Sequence, residues 1–387
     1  MAALHNYRSG KSQVVTCFDL SAAFDTLSSD IFCSKLKLYG FDKKSVNWFK
    51  TYMQNRKQVV MIGATISDQI TTNLGSPQGA IISTTIFIIL IADISLWSES
   101  LINSYADDTT STVSGHDFEE LKHMCEKEAQ NILDFMAVNK LKSNDDKTAI
   151  LVMRRNQSES QETFKIGNFM VKEVKQEKLL GFIVSNNIKW EEHIKKLVAK
   201  LKFRLFSLKR LSKQLPYNLL KKVADGIFMS HVRYGISLYC PIEVDHEYPH
   251  SLCIEQLRVA FNDCLRLLTR NSRKNHVSIN EMLENLGWLS LNQIASESRL
   301  IEAWKTAKFE DYCLNDTLKK RVKNSYSTRT QNQDFFERGV NDLKGSVGFV
   351  NSTARIWNQA PEEIRCAKTL TEAKRHIRNY VKTLPVS

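Results

Sequence analysis

Three aspartates carry the chemistry that this sequence suggests. Asp107 and Asp108 are adjacent in N-S-Y-A-D-D-T-T-S-T-V (103–113), a run otherwise rich in the strand-favouring residues Thr, Val and Tyr. Neighbouring carboxylates repel, so they are either solvated turn residues or a pair neutralised by a divalent cation such as Mg²⁺. Asp19 ends V-V-T-C-F-D (14–19), which reads as a buried strand. If the two strands are neighbours in one antiparallel sheet, the three carboxylates converge as ligands for two metal ions about 3.5–4 Å apart. Such a pair suits in-line displacement at phosphorus, one ion activating an attacking hydroxyl and the other steadying the leaving oxygens.

The elements that must position these acids follow from pattern. After Asp19, a helical stretch carries Ile31, Leu36, Leu38 and Tyr39 before Gly40, and a second runs from Lys44 to Tyr52. Q-V-V-M-I-G (58–63) and S-D-Q-I-T-T-N-L (67–74) read as strands turning at Gly63. G-S-P-Q-G (75–79) is a loop by composition, and it opens an apolar run, Ala80 to Ile94, read as a buried helix. The acids then lie at the tip of a strand-turn-strand. Asp117 and Glu120 have capping-box spacing ahead of a helix ending near Asn139. T-A-I-L-V-M (148–153) and K-L-L-G-F-I-V-S (178–185) read as further strands.

From Trp190 the character changes. Ile194, Leu197, Val198, Leu201, Leu205, Leu208 and Leu211 form a helical apolar stripe, and Lys195, Lys196, Lys200, Lys202, Arg204, Lys209, Arg210 and Lys213 stand against only Glu191 and Glu192. That charge is either a solvated face or a surface for a polyanion. The whole chain points the same way: 387 residues with a net charge of +12 suit nucleic acid first and an acidic membrane surface second.

A hydrophobic content of 42% excludes disorder throughout. No N-terminal apolar segment follows Met1, and the longest apolar run is shorter than the roughly 18 residues of a membrane span, so no membrane partner is expected. Eight scattered cysteines without a C-x-x-C pair suggest reduced thiols inside a cell. Cys240, His246, His250 and Cys253 are all zinc-ligand types, but their spacing matches no common finger. G-K-S (10–12) lacks the earlier glycine of a phosphate-binding loop, since His5 stands there.

Five blocks in order carry a resemblance: F-D-L-S-A-A-F-D (18–25), G-S-P-Q-G (75–79), Y-A-D-D (105–108), A-V-N-K-L-K-S-N-D-D-K-T (137–148) and K-L-L-G-F (178–182). Together they resemble the reverse transcriptases of non-long-terminal-repeat (LINE-type, jockey-like) retrotransposons. W-E-E-H-I (190–194) and A-R-I-W-N-Q-A-P-E-E-I-R (354–365) also look like this family. The resemblance implies an α+β fold, a right-hand polymerase palm with an antiparallel sheet and packed helices over 1–188. A helical thumb over 189–275 and a mainly helical C-terminal region over 276–387, a candidate RNA-binding part, would follow.

By that resemblance, Asp19 and Asp107 would bridge two Mg²⁺ ions, for which Mn²⁺ can substitute, and Asp108 would complete the set. Phe24 would sit under the sugar of the incoming deoxynucleoside triphosphate and exclude a 2′-hydroxyl, the other reading being an ordinary core ring. Gln78 and Gly79 would contact nucleotide and template, and Tyr105 would pack near the primer end. Lys147 would protonate departing pyrophosphate, or else be a surface lysine. The segment at Gly181 would hold the primer, and Lys195, Lys196, Lys200 and Arg204 would follow the backbone of the RNA template and DNA primer. His193 is expected to be structural. The family's setting would be a cytoplasmic ribonucleoprotein and the nucleus.

One departure matters. The family has a long fingers region before the first catalytic strand, and here about a dozen residues precede it. The sequence is therefore expected to be part of a longer polyprotein, with weak or no polymerase activity by itself. Two other readings stay open: a non-catalytic nucleic-acid-binding remnant, and another palm-type enzyme such as a nucleotidyl cyclase, which has no reason to carry G-S-P-Q-G or a basic thumb.

Overall fold

The computed structural model describes residues 11–154, 161–242, 252–315, 318, 335 and 349–386. The central strand, β1 (Ser12–Phe18), is S-Q-V-V-T-C-F, and both of its faces are largely buried. A strand buried on both sides needs neighbours at both edges and cover above and below. Its neighbours are β7 (Asp108–Gly115) and β8 (Ala149–Met153), each antiparallel to it. β6 (Leu101–Tyr105) pairs with β7, and β9 (Thr163–Ile166) and β10 (Phe169–Val174) complete a six-stranded sheet in the order β6-β7-β1-β8-β10-β9. Only β8 and β10 run parallel.

Helices pack on one face. Val14 and Phe18 join a core with Phe32 and Leu36 of α1 (Ser29–Leu38), Val46 and Met53 of α2 (Lys43–Met53), and Ile86, Phe87 and Leu90 of α3 (Ile81–Ile91). α4 (Phe118–Val138) adds Leu121, Cys125, Ala129, Ile132 and Phe135. Asp117 caps α4 by accepting a bond from the Glu120 amide, and the helix ends at Asn139 as its sequence suggests. On the opposite face, Val15, Leu151 and Met153 gather Val174, Val184 and Ile188.

An ion pair ties three of these helices together. Lys35 of α1 reaches Asp93, just beyond α3, at 2.5 Å, donates to the Leu90 carbonyl at 2.6 Å, and lies 4.9 Å from the centre of the Phe135 ring of α4.

Three sequence expectations change. The apolar run is helical, but Ile81 is 95% and Ile88 52% exposed, so α3 is buried on one face only. A continuously apolar segment has no periodicity to reveal which side is covered. The stretch around Gly181 is a hairpin, β11 (Gln176–Leu179) and β12 (Phe182–Ser185), not a single strand. Its two turn residues, Leu180 and Gly181, both have positive φ, as a two-residue type I′ turn requires. The strands on either side of Gly63 are each broken in two: β3 (Met61–Ile62) pairs with β4 (Thr65–Ile66), and β2 (Arg56–Gln58) with β5 (Ile70–Thr72).

The chain divides into two units, Ala2–Lys189, holding this sheet, and Trp190–Ser387, in which helices dominate. The α+β class expected from the sequence is the class found. In the second unit the basic helix α5 (Glu191–Leu211), with Ile194, Leu197, Val198 and Leu201 buried, packs on α8 (Leu252–Thr269). α6 (Tyr217–Ala224) runs through a π turn (Asp225–Met229) into α7 (Ser230–Arg233). α9 (Ile279–Leu286) packs on α8, and α10 (Leu291–Lys308) packs on α11 (Phe349–Gln359) and α12 (Leu370–Thr383) around buried Trp304 and Trp357. His193 is buried against Tyr239 and Trp190, a packing role. His246 and His250 of the considered zinc cluster lie outside the described residues. No described helix is long and apolar enough to cross a membrane.

Candidate active site

Strand register brings the aspartates to one end of the sheet. The β1–β7 ladder closes with Phe18 opposite Thr109, so one step further Asp19 stands against Asp108. Tyr105 pairs with Asp108 across the β6–β7 hairpin, and Ala106 and Asp107 form its two-residue turn. Ala106 has φ +52°, a left-handed conformation that costs a non-glycine residue about 1–2 kcal/mol. Strain of this kind collects where a backbone is held for a purpose.

Asp108 lies within the field of the other two carboxylates. Partial burial pushes the Asp108 carboxyl above its ordinary range, and the charges of Asp107 and Asp19 push it further. Lys178 of β11 draws it back down. Asp19 is engaged from another side: Lys147 Nζ lies 3.3 Å from its Oδ2, Asn144 Nδ2 donates to the same oxygen at 3.1 Å, and the Asn144 amide donates to the Asp19 carbonyl at 2.8 Å. Among the described residues, no group of three or more His, Cys, Asp or Glu side chains stands close enough together to hold a metal ion as placed. The donor set nevertheless suits a hard cation. It is all oxygen, it is mutually repulsive, and it leaves most coordination positions to water and phosphate, as Mg²⁺ prefers. Asp19, Asp107 and Asp108 are the residues that would hold such ions.

Covalent catalysis by the nearby thiol is disfavoured. Burial, then Glu177 and Asp108, push Cys17 up to about 12, so it stays protonated near neutral pH.

A loop is fastened beside these strands. The Gly75 amide donates to the Leu27 carbonyl at 2.8 Å and the Ser76 amide to the Phe24 carbonyl at 2.9 Å. Gln78 Nε2 donates to Asp25 Oδ1 at 2.8 Å. Ser83 at the start of α3 donates to the Pro77 carbonyl at 2.6 Å. The approach is so close that a Cβ on Gly75 would lie 2.8 Å from the carbonyl oxygens of Phe24 and Asp25. Phe24 itself is half-buried, its ring 5.2 Å from that of Phe87, with one part in the core and another at the surface.

The sequence-derived residues of the first unit thus fall into groups. Asp19, Asp107, Asp108 and Lys147 are linked by register, charge and an ion pair, and Phe24 and Gln78 by the bonds of one loop to one turn. Gly79 follows with φ +81° and open space around it. Tyr105 is 69% exposed at the hairpin end, and Gly181 forms its own turn. In the second unit Lys195, Lys196 and Lys200 are exposed on α5 and Arg204 is half-buried. Lys195 is occupied by Glu192 one turn earlier, at 2.6 Å.

Three residues escaped the sequence reading. Asn144 holds Asp19, Asp25 holds Gln78, and Lys178 offsets the charge on Asp108. Each lies inside a block that carries the family resemblance, which was the one signal available.

Telomerase from Candida tropicalis in complex with a TWJ fragment of telomeric RNA matches with a TM-score of 0.38 and 14% identity, over 76% of this chain and 48% of that one. The apo telomerase of the same organism matches with a TM-score of 0.37 and 11% identity, over 69% and 49%. Telomerase from Candida albicans with a TWJ fragment matches with a TM-score of 0.33 and 14% identity, over 81% and 52%. The likeness is loose, and the chain spans about half the length of these structures. No curated protein matches. Residues 2–184, just under half of the chain, match the family model of reverse transcriptase (RNA-dependent DNA polymerase), and RNA-directed DNA polymerase is the enzyme class that this resemblance supports.

Proposed function

We propose that this chain is the polymerase region of a non-long-terminal-repeat retrotransposon, LINE-type and jockey-like. It would extend a DNA primer 3′-hydroxyl with deoxynucleotides on an RNA template, acting in a cytoplasmic ribonucleoprotein and in the nucleus. The observation that carries the reading is the register that sets Asp19 against Asp108, with Asp107 at the adjoining turn. The order of the sequence blocks, continuing to A-R-I-W-N-Q-A-P-E-E-I-R, supports the retrotransposon assignment.

Bound at these carboxylates, two Mg²⁺ ions supply activation of the primer hydroxyl and charge neutralisation on the triphosphate. The residues of the chain do the rest. Asp19, Asp107 and Asp108 fix that charge at the strand ends. Asn144 orients Asp19 through its amide. Lys147, with its ammonium beside Asp19, can give its Nζ proton to departing pyrophosphate. Gln78, held by Asp25, places an amide beside the nucleotide and template, and the exposed part of Phe24 takes the space a ribose 2′-hydroxyl would need. Gly181 turns the hairpin that holds the primer end, with Tyr105 nearby. In the second unit Lys195, Lys196, Lys200 and Arg204 bind phosphates of the nucleic acid.

The test is primer extension on poly(rA)/oligo(dT) with Mg²⁺ or Mn²⁺. For this chain, which we read as part of a longer polyprotein, the expected result is at most weak, metal-dependent incorporation of dTMP that Asp107→Asn abolishes, with Phe24→Ala admitting ribonucleotides. Incorporation that survives Asp107→Asn would overturn the reading. Metal-independent nucleic-acid affinity with no incorporation would favour a binding remnant instead.

A further inference from the structure

On α5, the apolar face of Ile194, Leu197, Val198, Leu201 and Leu208 is buried, yet two phenylalanines lie on the opposite side. Phe203 is 65% and Phe206 61% exposed. Large exposed aromatics on a helix whose core face is already satisfied have no folding role there. Lys196, Lys200, Lys202, Lys209 and Arg210 surround them, all exposed.

The helix that packs against α5 carries a second oddity. The helical run from Tyr217 to Arg233 contains the π turn at Asp225–Met229, against which α5 packs. One inserted residue rotates everything after it by about 100° relative to an uninterrupted α-helix. His231 follows that turn, and its partial burial, then the charges of Lys200 and Arg204 of α5, hold the imidazole below its ordinary pKa. Lys200 and Arg204 are one helical turn apart and, among the described residues, neither pairs with a carboxylate. Arg204 Nε is buried and has no hydrogen-bond acceptor. Two cations beside a neutral imidazole offer N–H donors to an anion, and the unsatisfied buried N–H of Arg204 costs the fold until an acceptor completes it.

We propose that Lys200, Arg204 and His231 form a cradle for one phosphate of a single-stranded polynucleotide, with the adjoining base stacked on Phe203. This rests on the polynucleotide-binding reading of α5 and extends it with His231 and the two rings. Stacking on exposed aromatic faces beside a basic track is how single strands are held without regard to sequence. A membrane surface fits poorly, because the broad apolar face of α5 is turned into the core and only two rings point outward.

The test uses the full chain and fluorescence anisotropy with labelled 20-nucleotide poly(rU) and oligo(dT), without divalent ion or nucleotide. Arg204→Gln combined with His231→Gln is expected to weaken binding and to reduce the slope of log K against log salt by about 0.7, the value for one lost phosphate contact on a single strand. Phe203→Ala is expected to weaken binding roughly fivefold or more with the slope unchanged, and to affect an RNA–DNA duplex of equal length less. Unchanged affinity and slope in these variants would overturn the proposal, as would equal losses on the duplex or a preference for phosphatidylserine vesicles. If the double variant loses its fold by circular dichroism, Lys200→Gln, at an exposed position, must give the same change in slope. The palm carboxylates take no part under these conditions, so failure here leaves the polymerase reading to its own test with Asp107→Asn.

Discussion

Gly75→Ala perturbs the fastening of the G-S-P-Q-G loop more than any other single-methyl change in that loop. Gly75 has φ +78°, and alanine there costs about 1–2 kcal/mol in backbone strain. The added Cβ would lie 2.8 Å from the Phe24 and Asp25 carbonyl oxygens and 2.9 Å from the Asp25 carbonyl carbon. Those atoms are backbone and cannot swing aside, so the loop must slide outward. The amide bonds from Gly75 to Leu27 and from Ser76 to Phe24 are then lost, at about 1 kcal/mol each. Reduced freedom of the unfolded chain returns about 0.4–1 kcal/mol. The expected net cost is about 2–3.5 kcal/mol.

Gly79→Ala is the matched control. Its φ is +81°, but a Cβ there meets nothing within 4 Å, so only the strain and the returned entropy apply, about 0–1.5 kcal/mol net. Urea denaturation followed by circular dichroism separates the two. Because the slide also carries Gln78 away from Asp25, the KM for deoxynucleotide should rise in Gly75→Ala. Equal stability losses in the two variants would refute the claim that the loop is fixed by close backbone contact.

Other outcomes follow from the same structure. Asp93→Ala leaves Lys35, whose side chain is 11% exposed, without its carboxylate and should cost about 3 kcal/mol in urea denaturation, while pairing Lys35→Met with Asp93→Leu should recover most of it. The Asp108 carboxyl is raised in the fold, so its contribution to stability is largest below the ordinary aspartate range and falls as pH rises through the raised value. Asp108→Asn should therefore raise the Tm at pH 7, with a smaller difference at pH 4, while removing activity. Asp25→Ala frees Gln78 and should raise the KM for nucleotide with little change in kcat, and Asp25→Asn, which retains an acceptor oxygen, should restore most of it.

Much of the sheet was legible because its strands are short apolar runs ended by residues that stop them. V-V-T-C-F and A-I-L-V-M needed only their β-branched content and their boundaries. The meeting of Asp19 with Asp108 was legible as a consequence of one pairing, since register fixes every later pair once the first is set. The ion pair from Lys195 to Glu192 could be read from its i, i+3 spacing. Contacts made by folding alone could not be read in this way. Asn144 reaches Asp19 across 125 residues and Gln78 reaches Asp25 across 53, with no periodicity to announce either. The same holds for the exposed side of α3, whose I-I-S-T-T-I-F-I-I-L-I looks alike all round, and for the effect of Lys200 and Arg204 on His231, which lies on a different helix just after a π turn.

The central claim is that Asp19, Asp107 and Asp108 form a divalent-metal site at the end of β1 and β7, and Mn²⁺ titration followed by electron paramagnetic resonance tests it without requiring turnover. The account predicts that the wild-type chain binds Mn²⁺, that Mg²⁺ displaces it, and that Asp19→Asn or Asp107→Asn weakens binding at least tenfold while Asp145→Asn and Asp146→Asn do not. Mn²⁺ binding that is the same in the wild type and in both Asp19→Asn and Asp107→Asn would contradict it.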